Sequence, residues 1–187
     1  MSLIAGLNWL DLLILVVFIV GMGMGYMQGF IRQVMGLAAL YIGTILGAQY
    51  HLIVAGWLMQ FFPSAPVRFV NAFGFVLILF LVTSIINWLA SDAYGSGRVH
   101  MLPTFDHLAG SLLGLGTAFV VIALLLPVVR FAVGETWPWA WAESGRSTLL
   151  TGLNTSHLIY FFDQAKPELL AILTPWLPNG LPSIFNL

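Results

Sequence analysis

The groups in this 187-residue chain that could do chemistry are its serines, histidines and carboxylates, and their spacing arms none of them. Ser156-His157 pairs a nucleophile type with a base type, but adjacency in sequence does not supply the geometry of a hydroxyl held by an oriented imidazole. No Gly-x-Ser-x-Gly elbow is present. His51, His100, His107 and His157 are scattered, and only His100 and His107 fall on one expected side, without a ligand-like partner set, so no metal site is expected. Cysteine is absent, which excludes disulfides, thiolate metal sites and haem thioether attachment together. With no phosphate-binding loop either, neither an enzyme activity nor a cofactor is expected.

The elements that would position any such groups are membrane helices. Hydrophobic residues make up 60% of the chain and charged residues 7%, against roughly 25% charged in soluble domains. A net charge of -1 leaves no electrostatic footprint for nucleic acid. The expected fold is all-α: a polytopic membrane protein with four transmembrane helices at about 10–27, 34–48, 70–89 and 108–129, followed by interfacial C-terminal helices. Residues 1–130 form the bundle and 131–187 a Trp-rich, amphipathic segment, leaving no room for a separate soluble domain of ordinary size. The N-terminus lacks the basic start and small-residue cleavage site of a signal peptide, so the first helix is expected to stay.

Small residues at spacing four predict how these helices meet. Gly21, Gly25 and Gly29 share one face of the first, Ala39, Gly43 and Gly47 one face of the second, and Gly110, Gly114 and Ala118 one face of the fourth. The rows predict a tight hairpin of the first two helices, turning at Gln28–Arg32, and a compact core of the first, second and fourth. Between the second and third helices, His51, Gln60, Pro63, Ser64, Pro66 and Arg68 surround an apolar piece, Leu52–Phe62, that contains Trp57, is too short to span and is expected to lie in the interface. In the third run, Ser84, Asn87 and Ser91 line one face, which would hydrogen-bond a neighbouring helix or line a wet crevice.

Few charges approach the spans, and each stands at a helix end. Arg32 and Asp106 share the hinge side and are expected to form an ion pair. Asp11 and Arg130 stand at the opposite ends of the first and fourth helices and are expected to form a second. Trp9, Trp57, Trp137, Trp139, Trp141 and Trp176 fall on the surface away from the hinge, where they would anchor in headgroups.

Asn8-Trp9-Leu10-Asp11, the hinge Gly25-Tyr26-Met27-Gln28-Gly29-Phe30-Ile31-Arg32-Gln33, and Phe105-Asp106-His107-Leu108-Ala109-Gly110 with Gly114 together resemble the colicin V production protein family over roughly the first 130 residues. The family's hinge is similar to Arg-Gly-Phe-x-Arg-Glu. Here Gln28 and Gln33 replace its first arginine and its glutamate, and Asp106-His107 stands for its Asp-Arg pair. The resemblance implies a four-helix inner-membrane protein linked to toxin production or export and to envelope homeostasis. In related proteins the same helices anchor an extracytoplasmic serine protease, which this sequence does not show. It also implies a cytoplasmic hinge side and extracytoplasmic termini, although Arg32 and Arg98 against Arg68, Arg130 and Arg146 give no positive-inside signal for that orientation.

Three functions follow as expectations. The favoured one is a non-enzymatic scaffold or export-accessory protein working through helix-face contacts with other membrane proteins or a second copy, within the lipid bilayer. The second is a small structural subunit of an energy-transducing membrane complex. The third is a minor transporter or channel, ranked last because the spans hold almost no ionisable groups.

Overall fold

The computed structural model describes residues 8–94 and 103–173, together with 175 and 185. Trp176, Arg98 and His100 lie outside the described residues. The described residues form α1 (Trp9–Gln28), α2 (Phe30–Phe61), α3 (Val67–Tyr94), α4 (Pro103–Val133), α5 (Ala140–Thr155) and α6 (His157–Leu173). The chain is an all-α membrane protein: α1 to α4 are each long and apolar enough to cross a bilayer. Ile19, Phe80 and Leu112 are each more than 60% exposed, as side chains are when their solvent is lipid rather than water.

Gly29 alone separates α1 from α2. Its φ of 80° and ψ of 172° end one helix and start the next within a single residue, in a backbone region that favours glycine. Its carbonyl accepts the Gln33 N–H at 3.3 Å, beginning the next helical ladder.

The course of α2 differs from expectation. The second helix does not stop at Ala48 with a separate interfacial helix after it: α2 runs unbroken from Phe30 to Phe61. At 1.5 Å per residue it is about 48 Å long, beyond a roughly 30 Å hydrocarbon core. The polar residues at that junction continue the helix because they are accommodated locally. His51 is buried, with Nδ1 2.9 Å from the Ala48 carbonyl oxygen. Trp57 consequently rides exposed on α2 itself.

The pairing also differs. Gly43 and Gly47 do not face α1. A Cβ at Gly43 would lie 2.8 Å from Thr83 Oγ1, and one at Gly47 would lie 3.1 Å from the Phe75 ring, so this row is the seat of α3. Ala39, on the same row, is fully buried. The α1 row is already occupied by α4, which leaves α2 to turn its small face to the helix that returns after the Phe62–Pro66 turn. The core of first, second and fourth helices therefore gives way to two antiparallel pairs, α1 with α4 and α2 with α3, with α4 also touching α2 and α3. One cluster of buried side chains, including Leu40, Phe75, Leu79 and Val128, joins α2, α3 and α4. A second, including Ile14, Ile122, Leu153, Ile159 and Phe162, seats α5 and α6 on α1 and α4.

Candidate functional site at the hinge crevice

The α1–α4 contact is backbone against backbone. A Cβ at Gly21 would lie 2.8 Å from Ala118 Cβ and 2.9 Å from the Gly114 carbonyl oxygen. One at Gly25 would lie 2.9 Å from Gly114 Cα and would strike the Gly110 carbonyl oxygen. No side chain fits between the two helices there, which is what small residues at spacing four allow.

At the hinge end of this contact the expected Arg32–Asp106 ion pair is absent. Asp106 Oδ1 instead accepts the Phe30 N–H at 3.0 Å, and Oδ2 lies over Gly29. The first turn of a helix has backbone donors without helical acceptors, and Gly29 has no side chain to serve them, so an acid from α4 does. Next to it, the His107 ring stacks on Tyr26 at 4.9 Å and its Nδ1 is 2.6 Å from the Tyr26 carbonyl oxygen, clasping the last turn of α1.

The far end repeats the solution. Asp11 is fully buried but does not meet Arg130. Its Oδ2 accepts the Asn8 N–H at 2.9 Å, capping its own helix, while Oδ1 accepts the Leu158 N–H at 3.0 Å and the Ser156 hydroxyl at 2.5 Å, capping α6. Ser156 in turn accepts the Ile159 N–H at 3.2 Å, so its hydroxyl is engaged in a cap, and His157 beside it is exposed. Arg130 finds Asp163 on α6 instead, a two-pronged pair with both bonds at 2.8 Å. Both expected ion pairs fail for one physical reason: two acids at the ends of the spans meet helix N-termini, whose donors point at them, before they meet a cation.

The tryptophans divide. Trp9, Trp139 and Trp141 are exposed, as anchors would be, and Trp139 stacks on Trp141. Trp137 is partly buried, donating through Nε1 to the Ala132 carbonyl at 3.3 Å and meeting Phe69 edge-on, so it packs the α4–α5 connection rather than reaching for headgroups. In that connection Glu143 accepts the Trp137 N–H at 3.0 Å and two bonds from Arg146 Nε, at 3.0 and 2.9 Å. Arg146, followed by the Trp137 N–H, holds the Glu143 carboxyl below its ordinary range.

A cavity in the bundle lies where α1 and α2 diverge. It has a volume of about 750 Å³ and is lined from all four long helices. Arg32, Gln28 and Gln33 stand at its hinge end, and Asn87 and Thr83 on α3 face it. Gln33 is buried and its Oε1 accepts the Thr117 hydroxyl at 3.3 Å. Of the stripe expected on α3, Asn87 enters this crevice, Ser84 is exposed elsewhere and the Ser91 side chain lies outside the described residues. Thr83, Thr117 and Gln33 were not singled out as site residues by spacing. The available signal was that each is a polar residue interrupting an apolar run, which in a membrane needs a reason. Among the described residues no cluster of His, Asp and Glu suits a metal ion.

The family model for Colicin V production protein matches residues 10–162. No curated protein and no solved structure matches the chain.

Proposed function

Because the chain belongs to the colicin V production protein family, we infer that it acts in a bacterial inner membrane as a non-enzymatic scaffold or export-accessory protein, serving toxin production and envelope homeostasis. The observation that carries this reading is the use made of the bundle's charges. Asp11 and Asp106 cap helices, and Arg130 holds Asp163, so these groups fix helices in place rather than line a path. A fixed bundle suits a platform. Its partners, other membrane proteins or a second copy, would meet the broad outward face of α1, where Met22 and Met27 are exposed and Gly23 has open space around it.

A staple separates this reading from transport, which requires helices to move against one another. The chain has no cysteine, and Gly43→Cys with Thr83→Cys brings two sulfurs within bridging reach across α2 and α3. Oxidised, this variant should restore toxin release to cells lacking the chain as fully as its reduced form does. Loss of rescue on oxidation, with the protein still in the membrane, would overturn the scaffold reading. The same reading puts the hinge in the cytoplasm and α5 outside. An impermeant thiol reagent added to intact cells should label a cysteine at Trp141 and spare one at Gln28, and the reverse pattern would refute that orientation.

A further inference from the structure

The hinge crevice has the dimensions of one lipid leaflet. Its α1 wall extends from Gln28 to Val16, about 18 Å at 1.5 Å per residue, which is a little over half of a roughly 30 Å hydrocarbon core. It therefore reaches from headgroup depth to mid-bilayer. The deep part of that wall is apolar, formed by Val16, Val17, Val20 and Met24. Its volume of about 750 Å³ falls within the roughly 300–1,000 Å³ of small-molecule pockets.

The polar groups sit where an amphiphile would need them. Arg68, Arg130 and Arg146 each hold a carboxylate. Arg32, at the shallow end of the crevice, is exposed and has no ion-pair or hydrogen-bond partner among the described residues. The acid that could have neutralised it, Asp106, is engaged by the Phe30 N–H. Deeper, Asn87 comes close to Gly36, one turn of α2 below Arg32. Thr83 adds to the same wall, while its hydroxyl is turned to Gly43 in the α2–α3 contact.

We propose that this crevice binds one anionic phospholipid from the hinge-side leaflet, its phosphate on Arg32 and one acyl chain along the Val16–Met24 wall. Asn87 supplies a donor to the glycerol esters that an all-apolar wall would lack. The charge complementarity is that of a single cation over an apolar slot, so a zwitterionic lipid of the same shape binds less well.

Native mass spectrometry of the full chain, released from vesicles of equal phosphatidylglycerol and phosphatidylcholine, reads this directly. One phosphatidylglycerol per chain should survive release in preference to phosphatidylcholine. Arg32→Gln should lower its retention about five-fold, in line with one surface arginine's share of anionic lipid binding. Arg32 is exposed, so this variant should melt as the parent does. Val20→Trp, which fills the slot, should remove both lipids, with the melt again as control. Equal retention of the two lipids, or indifference to Arg32→Gln, would overturn the proposal. So would displacement of the lipid by millimolar inorganic phosphate, which would make this a free-anion site, or a second copy of the chain appearing in place of the lipid.

Discussion

Asp106 on α4 accepts the backbone N–H of Phe30, 76 residues earlier, at 3.0 Å. That single bond closes a turn of one residue, because Gly29 ends α1 and starts α2 without a side chain to cap either. Removing a capping acceptor costs about 0.5–2 kcal/mol. Asp106→Ala should destabilise the bundle by about that amount in a denaturant titration in detergent micelles, while Asp106→Asn, which keeps an acceptor oxygen, should recover most of it. Equal losses for the two variants would mean that the charge, not the acceptor, matters.

The two glycine classes of α1 should separate in mutation. Gly25→Ala puts a methyl group against Gly110 and Gly114, so α1 and α4 must part, and overpacking of this kind costs about 1–3 kcal/mol. Gly23 has nothing within 4 Å of its added Cβ. Gly23→Ala should therefore be neutral or stabilising by up to about 1 kcal/mol, the difference in helix propensity. Unfolding midpoints of the two variants under identical detergent conditions check the contrast.

How much of this is legible in the sequence depends on whether a signal is local. The spans are legible because an apolar run of membrane length has few other fates. The rows Gly21-Gly25-Gly29 and Gly110-Gly114-Ala118 announce close approach, and in the structure they face each other. The row Ala39-Gly43-Gly47 announces the same thing without saying to whom, since every such row looks alike; it meets the larger side chains Phe75, Leu79 and Thr83 of α3. The continuity of α2 through Gln49 and His51 is hidden because polar residues read as an exit from the membrane unless the fold satisfies them. The caps are the least legible. Asp11 and Leu158 are 147 residues apart, and an acid beside a helix in sequence gives no hint that it serves the N-terminus of another.

Acid should loosen the α4–α5 connection before the bundle. The Glu143 carboxyl is held low by Arg146 and by the Trp137 N–H, so its folded value lies below its unfolded one. Its contribution is then complete above the ordinary glutamate range and is lost as pH falls through the depressed folded value. A change in tryptophan emission from Trp137 should appear on that acid limb, below the ordinary glutamate range, and Glu143→Gln should abolish its pH dependence. An unchanged acid limb in the variant would assign the change to another carboxylate.

The central structural claim is that α1 packs on α4 and not on α2, and cysteine pairs in native membranes test it most directly. Gly21→Cys with Ala118→Cys places its two Cβ atoms 2.8 Å apart across the α1–α4 contact, so oxidation should give an intramolecular disulfide, with some separation of the helices to accommodate it. Gly21→Cys with Gly43→Cys should stay reduced under the same conditions, because the Gly43 face is filled by Leu79 and Thr83. A disulfide in the second pair and none in the first would contradict the account.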